Sequence, residues 1–324
     1  MPSPWPQSTP SPAHKVAYAD AVRRSFWLDT LPARDPHAPL DGQAEADLCI
    51  VGGGYTGLWA ALYAKALDPA REVVLLEATR CGAGASGRNG GFLQSSLTHG
   101  IGNGLSRFPD ELVQLERLWL ENFRALAEDL ERLAIDAEFE PAGDLIVALE
   151  PRELADLDEE AALLWRFGHD AELLDRERVR AEVNSPTYVG GLWTRTGSAL
   201  VHAGKLADGL RAAAARDGVR IHEYSPVRAL RKTAGGVCVT TDGGVVDARR
   251  VLLATSAYPP LLRAIGRYIA PVYDYVLVTE PLDARMRDAV GWGRRQGVSD
   301  LGNQFHYYRP TADWRILWGG YDAV

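Results

Sequence analysis

The 324-residue sequence has few cysteines and no long uninterrupted apolar stretch. Its three cysteines show neither metal-ligand nor redox spacing, so we interpret them as reduced thiols and expect a cytoplasmic protein. No apolar stretch approaches the roughly 20 residues that cross a bilayer, so we expect no membrane span. Residues 1–12 are rich in proline and serine and lack the charged start and apolar run of a signal peptide.

Basic segments are also absent. Lysine and arginine total 35 against 43 aspartates and glutamates, and the net charge of −8 argues against a nucleic-acid partner. The seven histidines form no metal-binding motif, so we expect no metal site. Ser/His/Asp and Cys/His sets typical of nucleophilic catalysis are not recognisable either.

The strongest positive signal is a glycine-rich turn inside a βαβ pattern. Residues 47–51 predict a buried strand, residues 58–67 a helix and residues 72–76 a second strand. The turn at residues 52–57 reads G-G-G-Y-T-G, which fits G-x-G-x-x-G, and an acid, Glu77, follows the second strand. Together these parts predict a dinucleotide site.

Each position of this pattern has a physical reason. The first glycine permits the tight turn, the second lets a pyrophosphate approach the helix N-terminus, and the third allows close helix–strand packing. An acid at the end of the second strand can accept hydrogen bonds from ribose hydroxyls, which argues against NADP. The predicted cofactor residues of this unit are Gly52, Gly54, Tyr55, Thr56, Gly57 and Glu77.

A second glycine-rich loop follows at residues 80–91, R-C-G-A-G-A-S-G-R-N-G-G. NAD dehydrogenases need no such loop here, whereas the ribityl chain and ring of FAD run deeper into the protein. FAD is therefore the predicted cofactor, an NAD dehydrogenase is disfavoured, and a flexible surface loop is the simpler alternative. The candidate residues in this loop are Ser86, Arg88, Asn89, Gly90 and Gly91.

The two glycine-rich segments and Glu77 together resemble the FAD-dependent D-amino acid oxidase-like family, in the branch typified by gamma-glutamylputrescine oxidase. Residues 25–29, 202–206, 225–227 and 253–258 match in the same order, so the resemblance covers roughly residues 25–324. It implies that Val227 meets the adenine through its backbone and that Ala254 and Thr255 line the nucleotide.

The resemblance also implies a reaction. A hydride would pass from the carbon that bears the nitrogen of an amine or amino acid to FAD, the imine would hydrolyse, and oxygen would be reduced to hydrogen peroxide. Which amine is oxidised stays open, as does a quinone in place of oxygen. A catalytically inactive flavin-binding fragment is the alternative.

The implied fold is mixed α/β, with a Rossmann-like FAD/NAD(P)-binding domain interleaved with an antiparallel-sheet substrate domain. Residues 250–254 should join the sheet begun by 47–51, and residues 106–135 predict one long amphipathic helix. The expected segments are a partly disordered N-terminal arm at 1–40, FAD-binding parts at 41–100 and 186–258, and substrate-domain parts at 101–185 and 259–324.

Members of the family continue past the position of Val324 with a further glycine-rich turn and a flavin-facing helix. The resemblance therefore implies a C-terminally truncated member that binds FAD weakly and turns over little amine. No catalytic residue is identifiable. Weak candidates are His99, Tyr273 and Tyr275, and the same uncertainty between cavity and core applies to His306, Tyr307 and Tyr308.

Overall fold

Two sheets of different topology organise the chain. The structure is a computed structural model that describes residues 16, 20–22, 24–272, 274–302 and 305–320, so residues 1–12 of the predicted arm lie outside the described residues. Within that part, no helix has the length and apolar character needed to cross a membrane. The helices are α1 Phe26–Asp29, α2 Tyr55–Leu67, α3 Ile101–Arg107, α4 Leu112–Arg132, α5 Leu154–Arg166, α6 Arg176–Glu182, α7 Ala203–Arg216 and α8 Ala284–Val290.

The strands vary in length from three to ten residues. They are β1 Gly42–Val51, β2 Val73–Leu76, β3 Phe92–Gln94, β4 Asp144–Ala148, β5 Ala171–Asp175, β6 Gly190–Thr194, β7 Ser198–Leu200, β8 Arg220–His222, β9 Ala229–Thr233, β10 Gly236–Thr240, β11 Gly244–Leu253, β12 Tyr275–Val278, β13 Gly297–Asp300, β14 His306–Pro310 and β15 Ile316–Gly320.

The first sheet is the predicted nucleotide-binding sheet, with strand order β8-β2-β1-β11-β10-β9. Strands β8, β2, β1 and β11 run parallel, and β9 and β10 add an antiparallel hairpin. Leu48 pairs with Arg250 and Val51 with Leu253, so the prediction that the later strand joins the first is confirmed. Helices α2 and α7 pack together on one face, with Leu58 and Leu210 fully buried.

The second sheet has the order β12-β15-β14-β13-β4-β6-β5. Its pairs are antiparallel apart from β13 with β4, which are parallel. The mixed α/β prediction is thereby confirmed. The segment boundaries stay a prediction, and β6 belongs to the second sheet although residues 190–194 fall within the predicted FAD-binding part.

The prediction of a long helix over residues 106–135 is confirmed for Leu112–Arg132, which forms α4, but residues 106–111 do not belong to this helix. The chain forms α3 and α4, separated by residues 108–111, because Pro109 has no N–H and restricts the residue before it. Leu112, Glu116 and Trp119 are buried, whereas Leu118 is 40% exposed. A carboxylate thus lies on the inner face of this helix.

A buried carboxylate joins the N-terminal segment to the first sheet. Glu223 lies directly after β8. Its carboxylate accepts hydrogen bonds from both Nη atoms of Arg34 at 3.0 Å, from the His37 N–H at 2.8 Å and from the Cys81 N–H at 2.7 Å. Burial alone raises the pKa of Glu223, but the bonds from Arg34, Cys81 and His37 lower it to about 2. Glu223 is therefore ionised, and it fixes the start of the second glycine-rich loop.

Replacing this carboxylate tests the network. We expect Glu223→Gln to lower the free energy of unfolding by about 3 kcal/mol, because an amide cannot replace the buried charge that accepts four hydrogen bonds, although Arg34 keeps its contact with Asp208. The pKa of Glu223 lies below its ordinary value of 4.5, so the stabilisation is present above that value and is lost as the pH falls toward about 2. Denaturant titrations of both proteins across this range measure the difference.

Asp242→Asn is the matched control. Asp242 also accepts two bonds from one arginine, Arg228, at 2.9 and 2.7 Å, but this pair is exposed. We expect its loss to be small. Equal destabilisation by both variants would contradict the importance assigned to Glu223.

Candidate cofactor and substrate site

The carboxyl ends of the parallel strands meet at one edge of the first sheet. Gly52 N–H donates to the Leu76 carbonyl at 2.8 Å, Glu77 N–H to the His222 carbonyl at 2.9 Å and Ala254 N–H to the Val51 carbonyl at 2.8 Å. Ligands of such sheets bind at this edge. Three residues predicted from separate sequence segments are therefore neighbours here.

Close backbone contacts explain two of the predicted glycines. Gly52 has a φ of +112°, and a Cβ there would lie 2.4 Å from the Ala254 carbonyl oxygen. A Cβ on Gly57 would lie 1.9 Å from the Gly52 carbonyl oxygen. Only glycine fits such positions without moving the backbone, so the turn and the close packing of α2 on β1 follow directly from these residue types.

The N-terminus of α2 faces the second glycine-rich loop. Its N-cap is Gly54, which has no side chain to bond the first N–H groups. Ser86 Oγ accepts the Tyr55 N–H at 3.0 Å and would lie 2.9 Å from a Cβ on Gly54. Backbone N–H groups at a helix N-terminus favour an anion, and the loop approaches this point through Ser86.

Glu77 organises the same edge. Its Oε2 accepts the Gly53 N–H at 2.8 Å, and its Oε1 accepts the N–H of Thr79 at 2.9 Å and its hydroxyl at 3.1 Å. The carboxylate therefore ties the first glycine turn to the end of β2. Its bond to a ribose stays a prediction, as do the predicted contacts of Thr56, Val227 and Thr255.

Asn89 shapes the second loop from within. Its amide donates to the carbonyls of Ala85 at 3.1 Å and Ser86 at 2.9 Å, and its Oδ1 accepts the Gly91 N–H at 2.9 Å. Arg88 is exposed, and its Nε donates to the Ala83 carbonyl at 2.7 Å. These predicted residues thus hold the loop conformation in this structure.

Other segments hold the loop from outside. Ser25 Oγ donates to the Gly87 carbonyl at 2.6 Å, and Trp27 Nε1 donates to the Asn89 carbonyl at 2.7 Å. Arg309 Nη1 donates to the carbonyls of Gly91 at 3.0 Å and Val201 at 2.8 Å. Burial lowers the pKa of Arg309 to about 10. Sequence reasoning missed Arg309, since an arginine within a strand carries no motif.

A cavity of about 450 Å³ opens beside this loop. Asn89 and Gly90 line it on one side, and β3, the helices α3 to α5 and the second sheet supply the other walls. Tyr307 forms part of the wall, and its ring lies edge-on to Phe92 with centroids 5.5 Å apart. A Cβ on Gly90 would lie 2.5 Å from the Tyr307 ring, so the loop packs directly on this aromatic wall.

The substrate-side candidates are only partly brought together. His99 and Tyr307 line the cavity. Tyr275, on β12, is 68% exposed and is not a cavity residue, while Tyr273 lies outside the described residues. His306 Nδ1 lies 2.9 Å from Asp300 Oδ2, and the hydroxyl groups of Tyr308 and Tyr188 are 2.6 Å apart. A catalytic role for His99, Tyr273 or Tyr275 stays a prediction.

Sequence reasoning missed a set of polar residues on the inner walls of the cavity: Glu116, Trp119, Asp144, Glu160 and His169. Glu116 Oε2 lies 2.9 Å from His169 Nε2, and this contact joins α4 to the segment after α5. An acid on the apolar face of α4 and an acid opening the apolar strand β4 were the available signals. Among the described residues, no group of three or more metal-ligating side chains is present.

The glycine at the helix N-terminus gives one test of this site. We expect Gly54→Val to reduce the FAD content of the purified protein strongly, because the new side chain displaces Ser86 and occupies the pyrophosphate approach. The flavin-to-protein absorbance ratio measures this content. In Gly293→Val, the control, a Cβ meets nothing within 4 Å, so that variant should keep its flavin. Full flavin content in Gly54→Val would refute the assignment.

Glu77 gives a second, milder test. We expect Glu77→Ala to weaken FAD binding by roughly ten- to a hundredfold, because a charged acceptor is lost at the ribose and at the Gly53 N–H. Titration of the FAD-depleted protein with FAD, followed by flavin fluorescence, gives the dissociation constant. Glu72→Ala removes an exposed acid just before the same strand and should leave the constant unchanged. An unchanged constant in Glu77→Ala would remove Glu77 from the site.

Known proteins resemble this chain in sequence. The gamma-glutamylputrescine oxidoreductase of Escherichia coli (strain K12) is 35% identical over 300 residues, which are 91% of this chain and 69% of that protein. A probable oxidoreductase OrdL of Haemophilus influenzae (strain ATCC 51907 / DSM 11121 / KW20 / Rd) is 33% identical over 94% of this chain and 71% of its own length.

Solved structures share the fold. Glycine oxidase from Geobacillus kaustophilus superposes with a TM-score of 0.68 at 24% identity, covering 86% of this chain and 71% of the other. L-proline dehydrogenase from P. horikoshii gives a TM-score of 0.65 at 17% identity, over 87% and 71% of the two chains. The chain thus has the architecture expected from the sequence.

The residues at the sheet edge fit FAD. The three glycines leave no space for side chains, the α2 N-terminus has no side-chain cap apart from the approach of Ser86, and a second glycine-rich loop packs over it. A family model described as FAD dependent oxidoreductase (DAO) matches residues 47–324, and it confirms the predicted family and cofactor. The chain therefore belongs to the DAO family of FAD-dependent oxidoreductases.

Proposed function

We propose that this protein oxidises the carbon–nitrogen bond of an amine or amino acid to an imine, with oxygen as the electron acceptor. The observation that carries the proposal is the cavity next to the cofactor loop. Asn89 and Gly90 belong both to that loop and to the cavity wall. A substrate in this space therefore lies beside the predicted position of the cofactor.

The chain's own residues bind and orient the reactants. When bound, FAD supplies the two-electron oxidation. The α2 N-terminus and the loop at residues 80–91 would hold its pyrophosphate through backbone N–H groups. Phe92 and Tyr307 present ring surfaces to the cavity, where they exclude water from the carbon that reacts.

The proposed reaction balances without a further cofactor. The substrate loses a hydride from the carbon and a proton from the nitrogen, and a carbon–nitrogen double bond forms. Water then adds to the imine carbon, and the nitrogen leaves as ammonia or an amine while an aldehyde or keto product forms. Oxygen takes up the two electrons and two protons to give hydrogen peroxide.

The relatives support an amine or amino-acid substrate. The Escherichia coli relative is named for the oxidation or reduction of gamma-glutamylputrescine, which carries an amine. All three cysteines are free and buried, which supports the expected location in a reducing compartment such as the cytoplasm. A catalytically inactive flavin-binding fragment is the alternative to an active oxidase.

The function predicts a reversible colour change. We expect the purified yellow protein to lose its visible flavin absorbance when an oxidisable amine is added without air. Admission of air should restore the absorbance and release hydrogen peroxide in a peroxidase-coupled assay. In a parallel experiment, the FAD-depleted protein should bind no NAD. A flavin-containing protein that stays yellow with every amine tested would favour the inactive alternative.

A further inference from the structure

The cavity walls contain an unusual number of buried polar atoms without a protein partner. They include the side-chain atoms Glu116 Oε1, Trp119 Nε1, Asp144 Oδ1 and His169 Nδ1. Glu116 is 5% exposed and Asp144 8%. Buried polar atoms in folded proteins normally have hydrogen-bond partners. Four such atoms belong to residues that line one cavity, so a polar ligand bound there would find hydrogen-bonding groups to satisfy.

The side chains that line the cavity indicate which charge that ligand carries. The cavity is lined by the carboxyl groups of Glu116, Asp144 and Glu160, and no lysine or arginine is among its described lining residues. A bound carboxylate would ordinarily need such a cation. The lining therefore disfavours an anionic group and favours a positively charged one.

The raised pKa values of two buried acids also favour a positively charged ligand. Burial raises the pKa of Asp144 to about 7, against a smaller opposite effect of a hydrogen bond from Gln94. Burial also raises the pKa of Glu160, with His169 acting in the other direction. The ionised forms of these acids are thus costly in the ligand-free cavity, and an ammonium group placed beside them would favour ionisation.

The hydrogen-bonding capacity matches an ammonium as well. Glu116 Oε1 and Asp144 Oδ1 are acceptors for such a group, whereas His169 Nδ1 lies on the opposite side of the ring from the Nε2 that contacts Glu116. A primary ammonium carries three N–H donors. The fourth atom, the Trp119 Nε1–H, is a donor and does not take part in this match.

We propose that the wall formed by Glu116 and Asp144, with His169 holding Glu116 in place, is a subsite for a second, protonated nitrogen of the substrate. The inference rests on the proposed function and narrows it. The enzyme would prefer a diamine or another aminoalkyl compound, whose one nitrogen lies at the carbon to be oxidised beside Asn89 and Gly90. Its distal ammonium would lie between α4, the start of β4 and the segment after α5.

Substrates of matched length test the subsite. Diaminopentane, pentylamine and aminopentanol share one chain and differ only in the distal group. We expect kcat/KM for diaminopentane to exceed that of both others by about tenfold or more, mainly through a lower KM. In Glu116→Gln and Asp144→Asn the ratio of diaminopentane to pentylamine should fall toward one. Aminopentanol performing as well as diaminopentane would show a neutral subsite and overturn the proposal.

Glu121→Gln is the matched control. Glu121 lies on the same helix as Glu116, but it is exposed and pairs with Arg117. We expect this variant to keep the wild-type ratio. Should Asp144→Asn fail to fold, Glu116→Gln still decides the outcome, and a thermal unfolding curve identifies the failure.

A binding measurement separates the subsite from the proposed oxidation. Diaminodimethylhexane, with both amino groups on tertiary carbons, has no hydrogen to lose at those carbons and reports binding alone. Calorimetry with the FAD-loaded protein should show its affinity falling about tenfold or more in Glu116→Gln, but not in Glu121→Gln. If no amine is oxidised, the proposed function fails while this titration still tests the subsite. Equal affinity in wild type and Glu116→Gln would overturn the subsite.

Discussion

The carboxylate of Glu223 is the interaction on which the cofactor edge depends. It lies just beyond β8 and accepts hydrogen bonds from Arg34, His37 and Cys81. These donors belong to the N-terminal segment and to the first residues of the second glycine-rich loop. A buried ionised acid needs all of these partners, because a lost partner leaves a charge in a low-dielectric environment. The position of the loop is therefore set by electrostatics before any ligand binds.

Aromatic packing between two glycines transmits that position to the second sheet. The Tyr307 ring lies against Gly90 of the loop and against Gly319, its partner across β14 and β15. A Cβ at position 319 would come within 2.1 Å of this ring. Since neither glycine has a side chain, the ring fills the space between loop and sheet. The cavity wall and the second glycine-rich loop thus form one packed unit.

The sequence predicted the parts of this site that depend on local backbone chemistry. The turn at Gly52 and the packing at Gly57 demand glycine for steric reasons, and this requirement is visible in the residue order alone. By contrast, the helical spacing does not show where α4 begins, because Pro109 delays its start to Leu112. Glu116 was hidden in the same helical pattern, because a leucine at position 115 gave an equally good helical spacing. Its contact with His169 is long-range, and no local pattern reports it.

The residues around the predicted cofactor site differ from those around the proposed substrate site. At the cofactor loop, side chains from elsewhere bind the carbonyls: Ser25 at Gly87, Trp27 at Asn89 and Arg309 at Gly91. In a planar trans peptide the N–H points away from its carbonyl, so these bonds turn the following N–H groups away from the donors. The N–H of Arg88, which follows the Gly87 carbonyl, already donates to the Ala85 carbonyl at 3.1 Å, so a contact of this group with the cofactor stays a prediction.

The described residues that line the neighbouring cavity include no lysine or arginine. A lysine or arginine reaching for the pyrophosphate from the cavity would neutralise Asp144 and Glu116 and occupy the space between them. With no lysine or arginine among the described lining residues, the acids of this cavity keep their capacity for a cation. The proposed cationic group of the substrate would lie in this cavity of about 450 Å³, beside the sheet edge predicted to bind the anionic cofactor.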